Sequence, residues 1–474
     1  MFDSRTSILS SPRFLLALAL ALTLLSYIAI CRFDFVYDDH QQIENNVAIR
    51  AWDRLPSYFT SHLWANAANQ QASNYYRPLF LVWLRLNYLA FGTNPAAWHL
   101  TSLLLHLLAT FLVFVAARSV LKMAGAEAPD KVAAIAALIF GLHPVHAEPV
   151  AWISSSSELM VTCFLLGALA CYARARVQAR GTTWMVAAVA LFCLALLTKE
   201  TAVAFVFVVL ACELLLRTGQ PRTAAVKHVA LAMVPWMVPA AAYVLVRRIA
   251  LGELAHPQNT YPATTVIASL PRLLGFYTRH LVWPHPLAIL YDFKPATSAG
   301  TAQVLLALVF LAALAGCAAV IARRNRVAGV ALCWLAVMLV PVLNVRLLRF
   351  DAWVQDRYLY LPSFGFALLV AMLLARFTAD AARTWKAAVV ALIALAMGGV
   401  TAQETAPWEN DLLLFQNAYA VAPHNAYAEA EFATQLMLRD ENDRARALLV
   451  DSLTRDPHAW MTAYNLGYLE YRVN

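Results

Sequence analysis

Long apolar runs fill most of the chain, and short polar stretches punctuate them. The first run, residues 14–31, is about long enough to cross a bilayer. A polar stretch from residue 32 to 97 follows. Further runs then cover residues 98–117, 132–142, 149–172, 184–197, 201–216 and 228–251. After a gap come 304–322, 327–345, 364–375 and 387–401. This pattern predicts an all-α, polytopic membrane protein with about eleven transmembrane helices, the shorter ones continuing as protein-covered helix. Two other stretches suit an interface rather than a crossing. Residues 79–86 set Trp and Leu against Arg85, and residues 270–290 hold Arg272, Arg279, His280 and several prolines.

The placement of charge orients the helices. Arg5 and Arg13 precede the first run, which is too long for a cleaved signal and is expected to stay as an N-in transmembrane helix. Five short loops each carry three basic residues: Arg118/Lys122/Lys131, Arg174/Arg176/Arg180, Arg217/Arg222/Lys227, Arg323/Arg324/Arg326 and Arg376/Arg383/Lys386. All five fall inside if the N-terminus is inside, as the positive-inside rule requires. The acidic pair at residues 38 and 39, the other polar motifs and the C-terminal tail then lie outside.

Composition agrees. Hydrophobic residues make up 61% of the 474 positions and charged residues only 14%, against about a quarter charged in a soluble domain. The net charge of +8 forms no basic stripe with interleaved aromatics, so nucleic acid is excluded as a partner and membrane lipids are expected. Seven cysteines, all in or beside apolar runs and without a CxxC pair, read as buried side chains.

The division expected is a membrane domain over residues 1–402, with its first external loop at 32–97, and a soluble tail over 403–474. Pro423 and Pro457 are 34 residues apart, which is the tetratricopeptide period, and Ala433 and Ala445 fall where that repeat wants small residues. A further repeat opens at residues 459–468. Repeats of this kind need neighbours, so the sequence is either a fragment or a tail packed on the membrane domain; a fragment is preferred.

Candidate chemistry gathers in the external segments. Phe33-Asp34-Phe35-Val36-Tyr37-Asp38-Asp39-His40 leaves the first helix with adjacent carboxylates, which at a membrane rim are wet, paired or working. Arg77, in Tyr75-Tyr76-Arg77-Pro78-Leu79, is expected to pair with Asp38 or Asp39, to hold an anionic ligand, or to reach lipid headgroups. His143, His146 and Glu148 stand in His-x-x-His-x-Glu spacing. Hydrogen bonding to a sugar, a phosphate or the acidic pair is the preferred reading, and a divalent metal site is the minor one. Lys199 and Glu200 interrupt two runs, either as a neutral pair or with Lys199 as a phosphate contact. Arg357 offers a fork suited to a phosphate diester, and Tyr358 the rim of a lipid-facing groove. Together these residues suit an anionic lipid-linked substrate. The rival functions are a lipid-sugar translocase or small-solute transporter, which would show midplane charge and inverted repeats, and an inactive membrane anchor.

Phe-Val-Tyr-Asp-Asp, Tyr-Tyr-Arg-Pro-Leu, Leu-Asn-Tyr-x-x-Phe-Gly at 86–92, His-Pro-Val-His-x-Glu, Thr-Lys-Glu and Arg-Tyr-Leu-Tyr-Leu-Pro-Ser occur here in that order. In these motifs the chain resembles the transmembrane-and-tetratricopeptide protein O-mannosyltransferases and their bacterial relatives. The resemblance implies the GT-C glycosyltransferase fold, a polyprenyl-phosphate sugar donor, and a protein or glycan acceptor to which the repeats bind. It also implies a catalytic acid in the first external loop, falling on Asp38 or Asp39. Asp38 is preferred as general base in a single displacement with inversion. No cofactor is expected. The site and the C-terminus would face the periplasmic side of a bacterial inner membrane.

Overall fold

The computed structural model describes residues 11–65, 73–216, 222–296, 300–348, 353–377 and 384–473. Arg5, Arg217 and Arg383, assigned above to internal segments, lie outside these. Ordered structure in the described residues is helical. Helix α1 (Pro12–Tyr27) starts where the Ser11 hydroxyl accepts the Phe14 N–H and Pro12 occupies the first turn. Then come α2 (Pro78–Phe91), α3 (Pro95–Met123), α4 (Pro129–Gly141), α5 (Ser156–Val177), α6 (Gly181–Thr198), α7 (Phe205–Leu215) and α8 (Arg222–Leu251). Helices α9 (Ala263–Val282), α10 (Thr301–Arg324), α11 (Arg326–Leu339), α12 (Ser363–Phe377) and α13 (Thr384–Thr405) complete the membrane-type part. Four more helices make the tail: α14 (Asp411–Val421), α15 (Ala426–Met437), α16 (Asn442–Arg455) and α17 (Trp460–Val473).

Each apolar run of the sequence falls on a helix. Among the described residues, seven helical stretches are long and apolar enough to cross a membrane, and an eighth results if α4 and the short helix after it count as one bent span. Helices α11 and α12, and the 11-residue α7, are shorter. The protein is an all-α, polytopic membrane protein.

Helix α5 runs through the centre of the bundle, packed against α3 and α6, whereas α10 turns nearly all of its surface outward. Close helix approach depends on small residues. At Gly141 an added Cβ would come within 2.9 Å of the Thr110 methyl, so α1, α3 and α4 meet there only because the residue is glycine.

One predicted span is corrected. The crossing expected over residues 149–172 begins later, the stretch Ile153–Val177 being long and apolar enough to cross a membrane. Pro144 and Pro149 break the chain into a bend after α4 and a short helix, Ala147–Ala151, and α5 begins only at Ser156. The polar residues Ser154, Ser155, Ser157 and Glu158 therefore sit at the entrance of that stretch.

The tail packs back on the membrane part. The Asp34 N–H donates to the Glu409 carbonyl at 3.0 Å, and Asn417 and Asn425 donate to the carbonyls of Leu287 and Tyr291. Ala433 and Ala445, assigned to small-residue positions, are fully buried between tail helices.

Candidate active site

The loop that follows α1 turns sharply at Tyr37, which has φ of 53°. For a non-glycine residue this left-handed conformation costs roughly 1–3 kcal/mol, and surrounding contacts must hold it. Here the tail supplies them. The Tyr37 N–H donates to Asp411 Oδ1 at 2.9 Å, and its ring lies against Trp152 and Phe415. The Tyr427 hydroxyl lies 3.2 Å from that of Tyr37. His40 adds a second tie, reaching Asp411 at 2.8 Å and Glu44 at 2.6 Å. The hydrogen bond to Asp411 is the main reason the His40 imidazole is pushed up to about 9.

This turn separates the two adjacent acids. Asp38 lines a cavity of about 420 Å³. Asp39 points away and is fully buried, with Oδ1 accepting from both the N–H and the hydroxyl of Ser154. Burial pushes the Asp39 carboxyl up to about 7, against the two Ser154 hydrogen bonds.

The same cavity gathers Arg77, Lys199, Glu200, Arg357 and Tyr358 from three separate segments. Each cation rests on a carboxylate. Arg77 forks onto Glu200, with Nη2–Oε1 at 2.6 Å and Nε–Oε2 at 3.1 Å. It does not pair with Asp38 or Asp39 in this way, which corrects one of the sequence expectations. Lys199 does not pair with its neighbour Glu200 either, but with Glu158 of α5, both side chains being buried. Arg357 Nη1 lies 2.6 Å from Glu148 Oε1, and its own backbone N–H donates to Oε2 of the same carboxylate at 3.0 Å. Its guanidinium lies over Trp152 and beside Tyr358. Burial opposes the charge of Glu200, yet Arg77 prevails and holds the carboxyl at about 2. Burial, with Arg77 close by, pulls the Lys199 ammonium below its ordinary value despite Glu158.

The remaining candidates stand behind this wall. Glu148 positions Arg357. His143 Nε2 is 3.0 Å from the Leu281 carbonyl, and His146 Nε2 is 2.9 Å from the Ser363 hydroxyl, inside a cluster with Phe140 and Tyr360. These histidines join helices, and no group of three metal-ligating side chains converges among the described residues.

Several cavity residues escaped the sequence reading. Glu158, Ser154 and Ser157 were hidden in a run read as a span, although four consecutive serines before a glutamate are themselves a polar signal. Arg247 also lines the cavity. Its guanidinium donates to the carbonyls of Asn74 and Leu254, and among the described residues it pairs with no carboxylate. It lay at the end of a run, where an arginine reads as an ordinary flank. Tyr427 of the tail reaches the cavity too, which no local pattern announces.

Comparison with known proteins supports the motif-based resemblance. The chain is 31% identical over 205 residues to Protein O-mannosyl-transferase Tmtc1 of Drosophila melanogaster, covering 42% of this chain and 23% of that one. It is 28% identical over 188 residues to Protein O-mannosyl-transferase TMTC3 of Homo sapiens, with 39% and 20% covered. It is 24% identical to human Protein O-mannosyl-transferase TMTC1 over 486 residues, 92% of this chain and 54% of the relative. The chain thus spans about a fifth to a half of the length of these curated relatives. No family model matches it, and neither does a solved structure.

Proposed function

Taking the chain as TMTC-like on that similarity, we propose that it is a membrane glycosyltransferase. It moves a sugar, mannose in the first instance, from a polyprenyl-phosphate donor to an acceptor hydroxyl, a Ser or Thr of a protein. The observation that carries this reading is the single cavity in which Asp38 shares the walls with Arg77, Lys199, Arg357 and Arg247. The names of the relatives supply the sugar and the protein acceptor. The wider reading includes a GT-C fold, a tetratricopeptide-type tail over residues 403–474 that binds acceptor proteins, and a site on the periplasmic side of a bacterial inner membrane.

The chemistry needs one base and a held leaving group. An acceptor hydroxyl is a weak nucleophile, so Asp38 takes its proton as the oxygen attacks the anomeric carbon. The bond from that carbon to the phosphate oxygen breaks, and the electron pair leaves with polyprenyl phosphate. A single displacement inverts the anomeric configuration. Cations hold the departing phosphate best when they are fixed beforehand. Arg77, Lys199 and Arg357 are fixed by their carboxylates, and Arg247, which pairs with none among the described residues, carries net positive charge to the site. Asp39 shapes the loop and is not the base.

The test is direct. Purified protein in nanodiscs, given labelled polyprenyl-phosphate mannose and a peptide pool, is expected to put label into peptide. Donor crossing the bilayer without transfer would make the protein a translocase. Neither activity would leave a membrane anchor, and either result overturns the proposal.

A further inference from the structure

A second cavity, of about 340 Å³, lies apart from the first. Two helices give its place. The turn before α7 brings Thr201 to the first cavity, and Leu216, just past the other end of α7, lines the second. Helix α11 runs the other way, with Val327 at its start in the second cavity and Pro341, just past its end, in the first. The two cavities therefore occupy opposite ends of the bundle.

Arg323, Arg324 and Arg326 line this second cavity, around Asn325. As signals of orientation these arginines need only be counted, but the fold sets them around one space. Among the described residues none of the three pairs with a carboxylate, unlike Arg77, Lys199 and Arg357. Carboxylates on neighbouring elements are engaged elsewhere. Asp130 holds Arg118 at 2.6 Å, and Glu213 holds Arg176 and the Tyr172 hydroxyl. Glu127 is exposed and does not line the cavity. Arg326 stands in the first turn of α11, where the positive end of the helix dipole disfavours a cation. A bound anion would balance all three charges at once, and arginine forks fit phosphate oxygens in pairs.

The rest of the wall, Ala124, Ala126, Leu216 and Val327, is apolar. Beside it ends α10, with Leu314, Val320 and Ile321 exposed and nearly its whole surface turned outward. In a membrane protein such a surface meets acyl chains. The occupant that fits both features carries a phosphate joined to hydrocarbon, and basic pockets between membrane helices hold headgroups of this kind.

We infer that the second cavity binds the phosphate of an anionic phospholipid, held by Arg323, Arg324 and Arg326, with the acyl chains along α10. The site stands independently of the reading of the first cavity as a donor site.

Titration of the full chain in neutral detergent tests it, with native mass spectrometry counting bound lipid. The probes are phosphatidylglycerol, phosphatidylcholine and inorganic phosphate. Phosphatidylglycerol is expected to bind about tenfold or more tighter than phosphatidylcholine, and inorganic phosphate at millimolar concentration is expected not to displace it. Loss of affinity should be about fivefold for each arginine removed, and about thirtyfold for Arg323→Gln with Arg326→Gln. Lys122→Gln with Arg180→Gln removes the same charge outside the cavity and should change binding by less than about threefold. All four of these side chains are exposed, so both double variants should unfold at the wild-type temperature without lipid, which reports that they fold. Equal losses in the two double variants would reduce the binding to ordinary surface charge and overturn the site. Equal affinity for the two lipids would overturn it as well. Displacement by inorganic phosphate would make the ligand a free phosphate and overturn the lipid.

Discussion

On one wall of the cavity, Arg77, Lys199 and Arg357 each lie against a carboxylate from a different segment. On the other, Asp38 rides a left-handed turn whose supports come from the C-terminal tail. The cationic wall is fixed from within the membrane part and is close to neutral overall. The acidic wall is held from outside by Asp411, Phe415 and Tyr427. One wall is thus part of the core of the fold, whereas the geometry of the other depends on a docked element. Damage to the first should appear as instability, and damage to the second as lost turnover.

The largest expected effect lies in the cationic wall. Glu158→Ala leaves the Lys199 ammonium buried without its partner, and breaking a buried pair in this way costs about 3–5 kcal/mol. Thermal unfolding in detergent should show it. Replacing both residues by leucine should recover most of that stability without recovering sugar transfer. If the double variant were as unstable as the single one, the pair would not be the source of the effect.

The clasp on the acidic wall should give a smaller loss of a different kind. Asp411→Asn removes the charge that ties Tyr37 and His40 to the tail, and displacement of Asp38 is expected to cut turnover about tenfold or more, with the donor KM little changed. The clasp also depends on pH. The His40 imidazole is raised from its ordinary 6.5 to about 9. Its contribution to docking is therefore complete below about 6.5 and lost as pH rises through about 9. Hydrogen exchange in residues 411–421 should quicken over that window in wild type, and Asp411→Asn should flatten the response. A flat profile in wild type would contradict the clasp.

Much of this was legible along the chain, and the rest depends on tertiary pairing. The apolar runs predicted helices because a bilayer-length run has few other ways to satisfy its backbone. The polar motifs were readable because Asp38, Arg77, Lys199 and Arg357 are conspicuous among apolar neighbours. Which acid meets which cation was not readable. Lys199 and Glu200 are adjacent, yet they bond to Glu158 and Arg77, on segments more than 40 residues away. The tail's hold on Tyr37 joins residues 374 positions apart. The entrance to α5 was missed because a hydropathy window averages four serines and a glutamate into the run around them. His143 and His146 carried a metal-like spacing, but the bend at Pro144 sends their rings to Leu281 and Ser363.

The central claim is that adjacent acids have different jobs, Asp38 as base and Asp39 as a buried support of the loop. Single-turnover transfer from polyprenyl-phosphate mannose by Asp38→Asn and Asp39→Asn, each at pH 6 and pH 8, tests it most directly. Asp38→Asn should be slower by about a hundredfold or more at both values. Asp39→Asn keeps the Oδ1 acceptor for Ser154 and should retain most of its rate. The raised Asp39 carboxyl, at about 7, lends stability to wild type that is complete below about 4 and lost as pH rises through about 7. The asparagine variant should therefore gain stability relative to wild type at pH 8. Near-normal transfer by Asp38→Asn together with a dead Asp39→Asn would move the base by one residue, and full transfer by both would take the acidic pair out of the mechanism.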